Sequence, residues 1–257
     1  GQAVVDELSS IGADATFVRA DFADFDAIRE LADTVRSETD GLDLLLNNAG
    51  GLFRDAGVTA AGVEYTFHVN HLSPYLLTTE LLDHLRADAR VVTTASSAHK
   101  GATLDLNRVR GPESSSGMGA YSHSKLANVL FARELARRLS ATDRSITSNS
   151  VHPGAIPGSG FSRFLPGPLP RLFQALEAVP SVTTVADGAA ELLYVGVSPR
   201  TAEVSGRYFT GQTAVTPSSA ARDGDASRQL WRESASIVGI DEPLSEAARN
   251  ATNAADG

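Results

Sequence analysis

Apolar and polar positions along the chain alternate between helical spacing and short continuous apolar runs. Residues 2–11 set Ala3, Val4, Val5 and Leu8 among polar neighbours and stop at Gly12, which predicts a helix. Thr16–Ala20 reads as a short strand ending at Asp21. Residues 24–38 carry Phe25, Ile28, Leu31, Ala32 and Val35 at 3.6-residue spacing and predict the next helix. Leu42–Leu46 is an apolar run of buried-strand type that ends in Asn47-Asn48-Ala49-Gly50. A long helix is predicted over residues 60–86, with Pro74 as its kink. A strand over Arg90–Ala95 ends at Ser96-Ser97.

Farther along, the glycine- and serine-rich stretch 99–119 reads as loop. Residues 121–140 form a helix with Ala127, Phe131, Leu135 and Leu139 on one face, and Ile146–Val151 a strand closed by His152-Pro153-Gly154. Residues 157–180 are rich in proline and glycine but also hold Phe161, Phe164, Leu169, Leu172 and Phe173. A helix over 184–195, a strand over 207–211 and a last helix over 218–238 complete the order. Strands alternating with helices predict an α/β fold with a parallel sheet and helices on both of its faces. We read residues 1–240 as one domain and 241–257 as a loose tail.

Composition narrows the function. With 42% hydrophobic and 21% charged residues, the 257-residue chain has a globular protein's balance. It has no cysteine, which removes disulfides and thiolate chemistry and fits a reducing, cytoplasmic compartment. A net charge of −9 argues against a nucleic-acid partner, and no run reaches the 18 or so apolar residues of a membrane span. His68 and His71 lie three apart on a predicted helix, but no carboxylate completes a ligand set, so no metal is expected.

Three polar signals sit at strand ends or a helix start. Tyr121 and Lys125, four apart, share a helix face, where an ammonium beside a phenol would favour the phenolate. Ser96-Ser97 puts hydroxyls at the carboxyl end of a strand, the edge where open α/β sheets bind ligands. Asn47-Asn48-Ala49-Gly50 follows another strand with small residues that let a ligand approach the backbone. Singly each is weak, because a solvated helix face, a cap and an ordinary turn would look the same.

In this order, with Asn70 and Pro153-Gly154, the signals resemble the short-chain dehydrogenase/reductase family, over residues 1 to about 240. Asn70-His71-Leu72 and Tyr121-Ser122-His123-Ser124-Lys125-Leu126-Ala127-Asn128 are most similar to its retinol dehydrogenase-type subgroup. The resemblance implies a doubly wound Rossmann sheet, a cofactor that is NAD or NADP, with NADP the subgroup's habit, and a carbonyl or alcohol substrate. It implies Tyr121 as general acid/base, Lys125 as the group that lowers the tyrosine pKa and holds the nicotinamide ribose, and Ser97, in preference to Ser96, as the residue that polarises the carbonyl. Asn70 would join a proton relay. Asp21 and Phe22 would contact the adenine, Asn47, Ala49 and Gly50 the adenosine side, and Pro153, Gly154 and Ile156 the nicotinamide. The apolar stretch 157–180 falls where the family carries a substrate lid, and a homo-oligomer is the family's habit.

One departure is large. The family opens with a strand, a glycine-rich turn that cradles the pyrophosphate at a helix N-terminus, and a second strand. Here the glycines before Asn47 are Gly1, Gly12 and Gly41, with no such pattern. We therefore expect a chain that lacks roughly 40 residues of βαβ unit, with a gap between the strand ending at Asp21 and the one ending at Asn47. A non-catalytic remnant or interaction module of the same fold is the competing reading.

Overall fold

The computed structural model describes residues 1–53, 57–110, 117–154 and 184–245. Its sheet is built from β1 (Leu42–Asn47), β2 (Leu85–Thr94), β3 (Thr147–Val151), β4 (Tyr208–Thr210) and β5 (Thr213–Val215), in that spatial order. The first four strands are parallel, and β5 turns back antiparallel on β4. Helices α1 (Gln2–Ser10) and α2 (Phe25–Glu38) precede β1. Helices α3 (Tyr65–Phe67) and α4 (Ser73–Glu80) lead to β2, α5 (Met118–Leu139) to β3, and α6 (Val185–Val197) to β4, while α7 (Gly224–Val238) follows β5.

Parallel strands buried on both faces must be covered twice, and they are. On one face Val91 meets Leu126, Leu130 and the α4 and α7 residues Leu76, Tyr75 and Trp231 in a large apolar cluster. On the other, Val92, Val151 and Phe209 meet Leu192 and Val195 of α6. Tyr75, Phe131 and Trp231 lock α4, α5 and α7 together, with ring centroids 5.0 to 5.9 Å apart.

Several expectations change. Thr16–Ala20 forms no strand: strands exist through hydrogen bonds to a neighbour, and this segment pairs with no other strand among the described residues. β1 is consequently the sheet edge, and its apolar run is only partly covered, Leu46 being 37% exposed. The helix expected over 60–86 begins at Tyr65 and ends at Glu80, and its irregularity lies before Pro74, as a π-helical turn over His68–Leu72. The reason is local. Pro74 has no N–H to give the carbonyl of Asn70, so the turn before it cannot keep the α pattern. There Ser73 N–H reaches back five residues, to the carbonyl of His68.

The tail expected from 241 is fastened in its first residues. Arg138 donates to Glu134 (2.7 Å), Glu242 (2.5 Å) and the carbonyl of Pro243 (3.0 Å), and its guanidinium lies 4.8 Å from the Trp231 ring. Trp231 Nε1–H donates to the same Pro243 carbonyl at 3.2 Å, and Leu244 packs on the large cluster. Arg138 and Glu134 are both buried, so removing the arginine leaves a buried carboxylate with only the more exposed Arg137 as partner. Arg138→Ala should therefore cost about 3 kcal/mol in urea unfolding. A loss under about 1 kcal/mol would show that the ion pair adds little.

Candidate active site

The carbonyl of Thr94, at the C-terminal end of β2, organises the site. It accepts hydrogen bonds from Lys125 Nζ and from Asn128 Nδ2, each at 3.0 Å, because the two residues lie three apart on α5 and share its inner face. Lys125 is buried, and among the described residues no carboxylate is bonded to it. Burial alone lowers its pKa to about 8. The Thr94 hydroxyl reaches across to Asn48 Oδ1 at 2.9 Å, joining the ends of β1 and β2.

Tyr121 is one turn before Lys125 on α5, its ring centroid 5.6 Å from Nζ. Its hydroxyl is hydrogen-bonded to the Ser96 side chain, which also caps the turn Ser97–Gly101 by accepting from Ala98 N–H. Ser97, the expected partner, is exposed at the start of that turn. The difference between the two serines has a simple cause: Ser96 is extended, φ −156° and ψ 153°, and neighbouring side chains on extended backbone point to opposite sides. The tyrosine pKa also differs from expectation. Burial raises it, against the smaller lowering effect of the Ser96 hydrogen bond, so Tyr121 is a neutral phenol at pH 7.

Asn70 sits in the π-helical turn, fully engaged. It accepts from Gly51 N–H and donates to the Gly51 carbonyl and to Ser124 Oγ, all at 2.9 Å, and Ser124 in turn donates to the carbonyl of Tyr121. Asn70 thus ties the loop after β1 to the start of α5. The glycine at 50 is required there: with φ at +148°, a Cβ would meet Asn70 Oδ1 at 2.5 Å. Asn47 is buried and bonded to Thr78 Oγ1, while Ala49 and Gly50 are exposed beside it. Ser124 and Asn128 were missed in the sequence, although both lie on the Tyr121–Lys125 face at helical spacing.

The remaining expected residues are less concentrated. Asp21 is exposed and its carboxylate accepts from Ala23 N–H, while Phe22 packs against the large core and its carbonyl accepts from Ser73 Oγ. Pro153 and Gly154 follow β3 half-buried, and Gly154 has φ +92°. Ile156 and the expected lid over 157–180 lie outside the described residues.

Residues 1–163 match the family described as short chain dehydrogenase, and the chain belongs to that family. It is 36% identical over 236 residues to human retinol dehydrogenase 13, an alignment spanning 87% of this chain and 68% of that protein. Among solved structures, an uncharacterised protein of Mycobacterium paratuberculosis matches with TM-score 0.72 at 25% identity, covering 94% of this chain and 82% of that one. A short chain dehydrogenase of Burkholderia cenocepacia J2315 in complex with NADP matches with TM-score 0.62 at 27% identity, covering 86% and 82%. The chain is accordingly an NAD(P)-dependent oxidoreductase of this family. Its residues fit a nicotinamide cofactor, since Lys125 is a buried cation with donors beyond the one that Thr94 takes. No helix among the described residues is long and apolar enough to cross a membrane.

Three histidines, His68, His71 and His123, are structural. His68 stacks on Phe25 at 4.0 Å and shares a hydrogen bond with Thr59. His71 bridges Asn128 and Ser234, and His123 accepts from Asp105 N–H. Burial lowers their pKa values to about 4, 3 and 4 respectively. Unfolding restores the ordinary value near 6.5, so below pH 6.5 the unfolded chain binds more protons and stability falls with falling pH until about 3. Thermal melts should show Tm lower by about 5 °C or more at pH 5 than at pH 7.5. An unchanged Tm would mean that these rings are protonated in the fold.

Proposed function

We propose that the site transfers a hydride between NAD(P)(H) and an apolar ketone, aldehyde or alcohol, with Tyr121 as the proton donor and acceptor. The observation that carries this reading is the Ser96–Tyr121 hydroxyl pair beside a buried lysine to which no carboxylate is bonded among the described residues. When bound, the nicotinamide supplies or takes the hydride. The protein handles the proton: in reduction the Tyr121 phenol gives it to the substrate oxygen, and in oxidation the tyrosine takes it back. Ser96 holds that oxygen in place of Ser97, and its hydroxyl lowers the cost of a developing phenolate. Lys125 adds positive charge near that oxygen and offers its remaining N–H groups to the nicotinamide ribose. Asn70 sets the distance between the Gly50–Gly51 backbone and α5, and its part in a proton relay belongs to the same reading.

Asn47, Ala49 and Gly50 hold the adenosine side, with Asp21 and Phe22 toward the adenine and Pro153, Gly154 and Ile156 toward the nicotinamide. NADP is favoured over NAD by the subgroup resemblance. The partly covered edge of β1 supports a further βαβ unit there, carrying the pyrophosphate turn. A cytoplasmic homo-oligomer belongs to the same reading.

Tyr121→Phe in the full protein should lower turnover by at least about 10²-fold while cofactor affinity, read by calorimetric titration, stays within threefold or so. Near-normal turnover would remove Tyr121 from the chemistry. Phe161, Phe164, Leu169, Leu172 and Phe173 support an apolar substrate by residue type. In a carbonyl panel, medium-chain and ring-bearing compounds should give higher kcat/KM than small oxoacids, and the reverse order would contradict the substrate class.

A further inference from the structure

We infer that His99 is a positioning residue for the reaction: it holds the backbone of Ser96 so that the serine hydroxyl meets Tyr121. The inference rests on the reading of Ser96 and Tyr121 given above. His99 is fully buried three residues after Ser96, and it grips the Ser96 carbonyl twice. Its backbone N–H donates to that oxygen at 3.1 Å and its ring Nδ1 lies 2.6 Å from the same atom. The other ring nitrogen, Nε2, lies 3.2 Å from the backbone N–H of Ser218, in the segment that runs from β5 to the turn Ala220–Arg222 packed on α5.

The two partners settle the tautomer. A carbonyl oxygen only accepts and a backbone N–H only donates, so Nδ1 carries the proton and Nε2 is the acceptor. A neutral ring satisfies both contacts at once. A doubly protonated ring would aim Nε2–H at another donor. The surroundings oppose that state as well: burial lowers the His99 pKa and Lys100 acts in the same direction, together outweighing the raising effect of the Ser96 carbonyl bond. The edge of the ring meets Tyr208 of β4 at 4.9 Å.

The mechanical consequence concerns Ser96. It lies just past the end of β2, where the sheet no longer fixes the chain. Its hydroxyl has two tasks, capping Ala98 N–H and meeting Tyr121. Its carbonyl is tethered by His99, and through Ser218 the tether reaches the segment leading to α7, which packs on the same α5 that carries Tyr121. Ser96 and Tyr121 are therefore referenced to one body by two routes.

A double-mutant cycle tests this, because a merely structural histidine would not depend on Ser96. In the full protein His99→Phe should reduce kcat by roughly tenfold with the cofactor KM unchanged, in line with the sensitivity of catalysis to small misplacements. In a Ser96→Ala background the same substitution should cost less than twofold or so. His99→Asn, whose amide can still donate to the Ser96 carbonyl, should keep kcat within about threefold. A full tenfold loss in the Ser96→Ala background, or a folded His99→Asn variant as impaired as His99→Phe, would overturn the inference and leave the Ser96 role standing. Undiminished turnover of Ser96→Ala alone would instead overturn the Ser96 role and the inference with it. Independently of activity and of any variant's folding, ring ¹⁵N shifts should show a neutral, Nδ1-protonated His99 at pH 7. The Nε2-protonated form would contradict the proposal.

Discussion

A buried lysine ammonium to which no carboxylate is bonded among the described residues is the constraint around which this site is arranged. It has to find an acceptor, since an unpaired buried charge costs several kcal/mol or more. The acceptor is a backbone carbonyl, that of Thr94, which lies where β2 ends and the sheet's own ladder stops claiming such groups. Because Asn128 donates to the same oxygen and the Thr94 hydroxyl reaches Asn48, one residue couples α5, β2 and the loop after β1. The groups that would meet a cofactor and a substrate are thereby placed by a few short bonds at the carboxyl end of the sheet, the edge where α/β folds bind ligands.

The same physics separates Lys125 from Tyr121 in their response to burial. Each is pushed toward its uncharged form, the amine downward and the phenol upward. A neutral phenol is a proton donor at pH 7, and the nearby amine, with a pKa of about 8, still carries its charge for most of the time there. Acid and cation coexist because burial keeps the phenol protonated while leaving the amine mostly charged at pH 7. Ser96 offsets part of the burial effect on the tyrosine, which is why its placement matters.

Much of this could be read from the residues. The apolar spacing in α2 and α5 and the short apolar run of β1 are period signals that packing reinforces, so these elements fall close to their expected bounds, whereas β2 begins at Leu85, five residues before the expected start. The segment Thr16–Ala20 has equally strand-like residues, but a strand also needs a neighbour, and pairing is not a local property. Proline at 74 signalled a disturbed helix, while the position of the disturbance depends on which carbonyl loses its donor, four residues earlier. Ser96 and Ser97 are identical in composition, and only the alternation of extended backbone decides which faces the tyrosine. The attachment of residues 241–245 was invisible because Glu242 and Pro243 reach Arg138 across about a hundred residues of sequence. Ser124 and Asn128 were accessible at helical spacing from Tyr121 and Lys125, once that face is taken as a unit.

The claim that Lys125 is a buried cation bonded to a carbonyl rather than to a carboxylate can be measured directly. The chain has only two lysines, Lys100 and Lys125, so ¹³Cε-labelled lysine gives two resonances, assigned with a Lys100→Arg variant. Following the Lys125 shift against pH should return a value of about 8. A Lys125 titration at or above its usual range would mean that an acidic partner holds the ammonium, and the arrangement around Thr94 would then be wrong.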